Sequence, residues 1–516
     1  MLNALSHGWT AFLARFLLTT AGLWVGVGGA RRYQVSIRSI LGLVLVTFPV
    51  LFVGLIAWMV IYELDVNFFR RLGELATALF ALAFLFGFGT VTAVILARRT
   101  PRDTVKRGTV LQGAWVRPHR RKGSGALTLA GQPIPAPDET KHFKVIGTTG
   151  TGKSSAIREF LGGALDRGDR AVITDPDGSY RQRFFDPARG DLILNPFDRL
   201  AARWDLFAEI AQPHDADQLA RSLIPDYEGG ERNWRHYART FLTAILRQLH
   251  RIDEHDPARL YYLLLMAEAQ ELRELLEATP AGPFLASDNG KFFESVRSVT
   301  AVHAAAIEHV AAQTTGELLS VRKWIRDGRG VLFLPYRASE VASLRHLIST
   351  WMRLAIFEAM DSGQSDQRLW FVVDELDALG AIDGLKDALA RLRKFGGRCV
   401  LSFQSIAQVR GTYGDAEAQT LVENCGNTLI LRCSASERGG TSEFASRLIG
   451  KREIIRQQKT RNTGLFGGGS AAKNSITEQH VTEEAVMASE IEQLPDFAGF
   501  LKLASRPEWM RVVLSS

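Results

Sequence analysis

Two long uncharged runs near the start of the chain dominate its hydrophobic pattern. Residues 40–61 and 75–96 each span 22 positions without a charged side chain. A helix of that length crosses about 30 Å of hydrocarbon. Soluble helices rarely stay apolar on every face over such a length, and Pro49 would only kink the first run. The pattern therefore predicts a hairpin of two transmembrane helices rather than two buried core helices.

The flanking charges predict how this hairpin is oriented. The loop between the runs carries two arginines against three acids, whereas basic residues cluster outside both runs at Arg31, Arg32, Arg38, Arg98, Arg99, Arg102, Lys106 and Arg107. By the positive-inside rule, both ends of the hairpin lie in the cytoplasm. The apolar stretch 1–30, interrupted by Arg15, is interpreted as an interfacial helix rather than a cleaved signal. A third span there would reverse the topology.

From about residue 108 onward, short apolar runs alternate with helical periodicity. The predicted strands are 144–146, 171–174, 192–194, 331–334, 369–373, 399–403 and 428–431. Several are apolar on both faces, which is typical of central strands in a parallel α/β sheet. Between 206 and 325 the pattern is helical throughout. We predict a membrane domain at 1–107, an α/β domain at 108–205 and 326–516, and an all-α domain at 206–325 inserted within it.

Composition adds modest constraints. The 516 residues carry a net charge of +7 and a pI of about 9.3, which permits contact with nucleic acid or anionic lipid without requiring it. The three cysteines, Cys399, Cys425 and Cys433, lack metal-site or redox spacing and are interpreted as buried apolar residues. A glycine-rich stretch at 464–470 lies among basic residues from Lys451 to Lys473. It predicts a mobile basic loop, either solvated or in contact with DNA.

The first chemical motif is a phosphate-binding loop after a predicted strand. Its sequence is Gly147-Thr148-Thr149-Gly150-Thr151-Gly152-Lys153-Ser154, followed by Ser155 at the start of a predicted helix. Glycines let successive amides point at a polyphosphate, and the helix N-terminus adds partial positive charge. Lys153 is expected to reach the β- and γ-phosphates of ATP, and Ser154 to bind Mg²⁺. The alternative is a tight strand-to-helix turn without a ligand.

An acidic strand end more than 200 residues later favours the nucleotide interpretation. The run Leu369-Trp-Phe-Val-Val ends in Asp374 and Glu375. Asp374 is expected to hold the magnesium hydration shell, and Glu375 to polarise the attacking water. Either motif alone is weaker than the two together, which predict an ATPase.

Further candidates lie near the next strand. Gln404 follows the run 399–403 and is expected to sense the γ-phosphate or orient water, although it is also an ordinary strand-end residue. Before that strand lie three arginines, at 391, 393 and 398. One of them is expected to act as an arginine finger in a neighbouring subunit, and the alternative is a solvated helix end.

Several longer motifs resemble the type IV secretion coupling proteins of the TraD/TrwB family, the DNA-pumping ATPases of bacterial conjugation. The resemblance runs from the membrane hairpin almost to the C-terminus. Besides the phosphate loop and Gln404-Ser-Ile-Ala-Gln408, the motifs are Ile134 to His142, Asp175-Pro-Asp-Gly-Ser-Tyr180, Leu194-Asn-Pro-Phe-Asp198, Trp204-Asp-Leu-Phe207, Ser222-Leu-Ile-Pro-Asp226, Val373-Asp-Glu-Leu376 and Ser489-Glu-Ile-Glu-Gln-Leu494.

This resemblance implies a RecA-like P-loop domain with an inserted all-α domain and a hexameric ring on a membrane stem. It places the finger at Arg393 and the strand-end amide at Gln404. The implied location is the bacterial inner membrane, and the implied partners are single-stranded DNA with its attached relaxase and the secretion channel. The short external loop and the lack of a long tail depart from some relatives, so docking of DNA-processing partners through such a tail is not expected.

Two other functions fit parts of the pattern. A chromosome-partitioning translocase of the FtsK type also joins membrane spans to a RecA-like motor, but that class usually carries a C-terminal module that reads double-stranded DNA. A nucleotide-gated receptor that recruits cargo without pumping is the other alternative. The acids at 374 and 375 argue against it, because a gate needs only slow hydrolysis.

Overall fold

The computed structural model describes residues 104–116, 127–225, 232–363, 368–437, 440–461 and 474–515. All of them belong to one compact unit, Asp103–Ser516. The predicted membrane segments at 40–61 and 75–96 lie outside these residues. In the part of the chain that is described, none of the helices combines the length and apolar character needed to cross a bilayer.

The strands and helices alternate over much of the unit. The strands are β1 Thr104–Gly108, β2 Val110–Val116, β3 Thr128–Leu129, β4 Gln132–Pro133, β5 Phe143–Ile146, β6 Arg170–Pro176, β7 Leu192–Ile193, β8 Arg203–Trp204, β9 Leu318–Leu319, β10 Val331–Tyr336, β11 Leu369–Val373, β12 Gly397–Phe403, β13 Asn427–Ile430, β14 Lys451–Arg461, β15 Asn474–Glu484, β16 Ala498–Lys502 and β17 Glu508–Val513.

The α-helices are α1 Ala136–Glu139, α2 Lys153–Asp166, α3 Ser179–Phe184, α4 Pro213–Leu223, α5 Arg232–Arg251, α6 Pro257–Leu265, α7 Ala269–Leu276, α8 Gly290–Ala304, α9 Ile307–Ala312, α10 Val321–Asp327, α11 Val341–Asp361, α12 Leu385–Arg391, α13 Ile406–Tyr413, α14 Asp415–Asn424, α15 Gly440–Ile449 and α16 Ala488–Glu492. Short 3₁₀ turns occur at Pro187–Arg189, Phe207–Glu209, Gly282–Leu285, Ser287–Asn289 and Leu392–Phe395.

The main sheet has ten strands among the described residues, in the order β2-β17-β16-β13-β5-β12-β11-β6-β10-β7. The strands from β13 to β7 all run parallel, and β16 joins them antiparallel. Strands β5, β10, β11 and β12 are buried along their whole length. Continuous apolar strands form a parallel sheet because helices cover both of its faces. The predicted α/β class and all seven predicted strands are confirmed, with shifted ends.

Packing on the two sheet faces fixes the strands that carry the site. On one face, Phe160 of α2 meets Trp370 of β11 edge-on, with ring centroids 4.6 Å apart, and Phe143 of β5 packs beside both rings. Burying each ring stabilises the fold by about 2–3 kcal/mol. On the other face lies α11, where Trp351 meets Trp204 of β8 edge-on at 5.8 Å. Helix α2 is thereby held against the strands on which the phosphate loop and the acids sit.

The prediction of helix throughout 206–325 is wrong at β9, Leu318–Leu319, which pairs with β8. Between β8 and β9 the described residues form helices and 3₁₀ turns, with α4 to α9 packed around a core that includes Phe241, Leu242 and Ile245. The buried Arg353 of α11 links this helical segment to the α/β part. Its guanidinium donates to the backbone oxygen of Gln218, 3.1 Å away, and to Asp383 Oδ2 at 2.8 Å. The domain boundaries themselves remain a prediction.

One expectation about the C-terminal region is wrong. Lys451 to Arg461 is not a mobile loop but strand β14, which pairs antiparallel with β15 over eleven residues and with β1 at its other edge. Arg452 pairs with Glu483, with Nη2 2.8 Å from Oε1. Cross-strand ion pairs explain how so polar a segment forms a ribbon. The glycine-rich residues 464–470 lie outside the described residues.

Candidate nucleotide site

The phosphate loop connects β5 to α2 at the carboxyl edge of the parallel sheet. Gly152 has φ of +110°, a conformation that L side chains rarely adopt. A Cβ on Gly147 would lie 2.9 Å from both Leu431 Cβ and Thr151 Oγ1. The loop is held by its own hydrogen bonds, since Thr151 Oγ1 donates to the Thr148 oxygen at 2.7 Å. Its backbone is therefore preformed around the start of α2.

Lys153 is the first residue of α2 and folds back over this loop. Its Nζ donates to the Thr148 oxygen at 3.2 Å, and the side chain is buried. Burial lowers the pKa of Lys153, while the charges of Asp374 and Glu375 oppose that shift. A cation held beside helix-terminal amides fits a polyphosphate. Lys153 and residues 147–155 thus lie together at the start of α2, and their roles toward a nucleotide stay predictions.

Asp374, directly after β11, is the most heavily hydrogen-bonded carboxylate of the site. Ser154 Oγ donates to its Oδ2 at 3.1 Å, and Tyr180 Oη donates to the same oxygen at 2.7 Å. Its Oδ1 accepts from the Glu375 amide at 3.1 Å and from the Ser402 hydroxyl. These four donors fix the orientation of the carboxylate. The hydroxyl of Ser154 and this carboxylate supply the oxygen donors that Mg²⁺ prefers.

Glu375 adopts a left-handed backbone conformation, with φ of +56°, at the end of the acidic strand. A non-glycine residue in this region costs about 1 kcal/mol or more, and such strain is concentrated at functional sites. Its Oε1 accepts from Gln404 Nε2 at 3.1 Å, and Gln404 Oε1 accepts from Thr149 Oγ1 at 2.7 Å. Burial first, and then the charge of Asp374, raise the pKa of Glu375. Gln404 therefore bridges the phosphate loop and a carboxylate suited to act as a base.

The sequence indicated no role for three residues that the fold adds to the site, Ser402, Tyr180 and Asp175. Tyr180 is fully buried and donates to Asp374, as described above. Asp175, at the end of β6, accepts from the amides of Tyr180 at 2.8 Å and Arg181 at 2.7 Å. Burial raises the pKa of Asp175 to about 6. The motif Asp175–Tyr180, directly after an apolar strand, is the sequence feature that could have indicated a role for these two residues.

Removing only the Tyr180 hydroxyl is expected to weaken the affinity of the site for Mg²⁺. In Tyr180→Phe, Asp374 loses one of its donors, and loss of such a supporting hydrogen bond typically costs about 10-fold in metal affinity. The Mg²⁺ concentration that gives half-maximal ATP hydrolysis should rise by about that factor. Tyr413→Phe is the matched control, because its buried hydroxyl contacts Ile382 and Gly380 instead. Equal Mg²⁺ dependence in both variants would remove Tyr180 from this role.

The structure does not bring Arg393 to the phosphate loop of its own subunit. Arg393 is exposed in the 3₁₀ turn Leu392–Phe395, before the amino end of β12, whereas Gln404 follows the carboxyl end. The seven-residue strand between them spans about 20 Å. Arg398 is buried, with its Nε 3.4 Å from Glu139 Oε2, and has a structural role. Arg391 ends α12 and is also exposed.

The structure describes the residues for which the sequence predicts a metal site and three buried cysteines. There, no three His, Cys, Asp or Glu side chains converge as a metal-binding group. Cys399, Cys425 and Cys433 are buried with free thiols. Burial raises the pKa of Cys425 and of Cys433 to about 12, which suits the expected packing role.

A preformed phosphate loop, a helix N-terminus and two consecutive carboxylates at one edge of a parallel sheet define a P-loop nucleotide-binding protein. The family model described as the type IV secretion-system coupling protein DNA-binding domain matches residues 126–515. The chain therefore belongs to the type IV coupling proteins of the TraD/TrwB family.

Known relatives agree with this assignment. Coupling protein TraD of Escherichia coli strain K12 is 30% identical over 385 residues, which cover 73% of this chain and 53% of TraD. The chain thus spans about half the length of that relative. Plasmid coupling protein TrwB in complex with the ATP analogue ADPNP superposes with a TM-score of 0.70 at 31% identity, covering 81% of this chain and 96% of TrwB. TrwB with ADP and Mg²⁺ gives 0.68 at 30% identity, covering 80% and 97%.

Proposed function

We propose that this protein is an inner-membrane, ATP-driven coupling protein that recruits relaxase-bound single-stranded DNA to a type IV secretion channel and pumps it during conjugation. The observation that carries the proposal is the chain of contacts from Thr149 through Gln404 to Glu375, beside Lys153 and Asp374. It joins a phosphate-binding loop to a base, as a motor requires and a passive receptor does not. Hydrolysis that single-stranded DNA accelerates would support it, and hydrolysis indifferent to DNA would contradict it.

ATP and Mg²⁺ are the proposed cofactors of this site. The loop amides of 147–155 and Lys153 would hold the phosphates, and Ser154 and Asp374 would hold the metal. Bound Mg²⁺ neutralises charge on the phosphates. The TrwB complexes with ADPNP and with ADP and Mg²⁺ support this choice, since those ligands occupy a protein of the same fold and family.

Glu375 and Gln404 carry the proposed hydrolytic step. A carboxylate whose pKa lies above its ordinary value accepts a proton from water more readily. Glu375 takes that proton as the water attacks the terminal phosphorus, and the bond to the leaving ADP oxygen breaks. The amide of Gln404 holds Glu375 at 3.1 Å and contacts the loop through Thr149. Gln404 is therefore placed to respond to the presence of the terminal phosphate.

Assembly into a homo-hexamer would complete the site. An exposed arginine at the amino edge of the sheet has no path to its own phosphate loop, so Arg393 would serve the site of an adjacent subunit. Family membership supports this arrangement. The membrane domain at 1–107 and the cytoplasmic position of the ATPase remain predictions from the two uncharged runs and their flanking arginines.

A further inference from the structure

A cleft of about 570 Å³ lies at the same sheet edge as the nucleotide site. Its walls are formed after β6, after β7 and at the end of β10, by Asp177, Gly178, Arg181, Gln182, Asn195, residues 197–199, residues 335–337 and Glu340. Strand β6 lies between β10 and the acid-bearing β11, and all these strands are parallel. The cleft, here called the edge cleft, therefore adjoins the catalytic acids. Ligands of open α/β sheets bind along this edge.

Three arginines and three acids line the edge cleft, and two of the acids, Asp198 and Glu340, contact its walls. Arg199 and Arg337 are exposed, the Arg337 side chain to 79%. Asp198 accepts from the Leu200 amide at 2.9 Å and from the Arg181 guanidinium. Glu340 accepts from the Arg337 amide at 3.1 Å, while its distance to the Arg337 Nε is 3.9 Å. Two guanidinium groups are thus available at the mouth for an anionic ligand.

An exposed aromatic ring stands beside these arginines. Phe197 lines the edge cleft and is 43% exposed. Its ring packs against His309 of α9, with centroids 4.7 Å apart, so it is supported from behind. A supported ring with cationic groups nearby is the arrangement that binds single-stranded nucleic acid without sequence preference, by base stacking and phosphate contact.

Helix α3 links the edge cleft directly to the metal-facing carboxylate. Tyr180 and Arg181 are consecutive, and the Asp175 carboxylate accepts from both of their amides. Tyr180 donates to Asp374, while Arg181 donates to Asp198 in the cleft wall. A movement of Asp198 would therefore act on Arg181. Arg181 is next to Tyr180, which orients Asp374.

Tyr336 provides a second connection between the edge cleft and the acids. The residue lines the cleft yet is buried, and within the described part of the chain its hydroxyl has no hydrogen-bond partner. Burial and the nearby charges of Glu375 and Asp374 raise its pKa. Its backbone oxygen accepts from the amide of Asp177, a residue with φ of +56°. A buried hydroxyl without a hydrogen-bond partner, beside a strained turn, is unusual outside functional sites.

We propose that the edge cleft binds single-stranded DNA, with Arg199 and Arg337 on its phosphates and Phe197 under one base. DNA in the cleft acts on Asp374 through Arg181 and Tyr180, which couples substrate binding to hydrolysis. The inference rests on the proposed function and adds to it the place where DNA is sensed.

The test uses the full chain, purified in detergent, with a poly-dT oligonucleotide as the probe. The readout is the ratio of ATP turnover with and without DNA, and DNA-free turnover is recorded for each variant. For Arg199→Gln with Arg337→Gln, the slope of log affinity against log salt should fall by about 1.4, or 0.7 per phosphate contact. Phe197→Ala should raise the DNA concentration for half-maximal stimulation about tenfold. The matched control is Arg251→Gln with Arg273→Gln, at two exposed arginines of the helical segment.

Three outcomes separate the alternatives. Wild-type hydrolysis that DNA does not stimulate contradicts the proposed function itself. Normal wild-type stimulation, with the cleft variants indistinguishable from the control pair, overturns only the edge cleft as the DNA site. A photo-cross-linking residue at position 197 should capture the oligonucleotide. Its capture of another subunit instead would assign the cleft to subunit contact and also overturn the inference.

Discussion

Glu375→Gln should lower ATP turnover by about 1000-fold and leave nucleotide binding within a few-fold of wild type. The substitution keeps an oxygen that can accept from Gln404 Nε2, so the link to Thr149 is preserved. What it removes is the proton acceptor, and general-base catalysis contributes about 10²- to 10⁴-fold. Single-turnover hydrolysis measures the first effect, and fluorescent ADP binding measures the second.

Asp377→Asn is the matched control for that substitution. Asp377 lies two residues further along the same loop, and burial raises its pKa as it does for Glu375. The substitution Asp377→Asn makes the same change of charge near Lys153 as Glu375→Gln does. A purely electrostatic effect would therefore appear in both variants. A loss in Asp377→Asn as large as in Glu375→Gln would contradict the assignment of Glu375 as the base.

Arg393→Ala should abolish most hydrolysis in the assembled ring, by about 10³-fold or more, since arginine fingers contribute that much. Lys153→Ala, which removes the phosphate-loop cation, should be equally inactive. Mixed rings of the two variants should regain activity, because an intact loop in one subunit then meets an intact Arg393 in the next. The measurement is turnover as a function of the mixing ratio.

Arg391→Ala serves as the control for the finger, because Arg391 is also exposed and lies only two residues away. It should retain near-normal turnover. Full activity of Arg393→Ala in the ring, or mixed rings that stay as inactive as either parent, would exclude action in trans by Arg393. The position of Arg393 at the sheet edge opposite Gln404 is the reason to expect the trans arrangement.

The local backbone of the candidate site could be predicted from the sequence. Residues 147–154 and the strand ending at Asp374 each specify their own backbone, one through glycines and the other through a continuous apolar run. The contacts of Tyr180 and Ser402 with Asp374 could not be predicted in this way. They depend on β6, β11 and β12 being neighbours, and these strands are separated by long segments of the chain.

Other elements were missed for related reasons. Strand β14 is polar and basic, and it forms because β1 and β15 pair with its two edges, which local composition does not reveal. Strand β16 contains Gly499, whose missing side chain allows the Ile430 oxygen to approach within 2.4 Å of where a Cβ would lie. A glycine weakens any sequence-based strand prediction, although here it permits close pairing with β13.

The proposed motor depends on one link, the coupling of ATP hydrolysis at Lys153, Asp374 and Glu375 to single-stranded DNA. The most direct measurement is steady-state ATP turnover by the full chain with and without single-stranded DNA, with Glu375→Gln as the blank. We expect strong stimulation by single-stranded DNA that disappears in the Glu375→Gln protein. Slow turnover that single-stranded DNA leaves unchanged in intact rings would contradict the motor and favour a nucleotide-gated receptor.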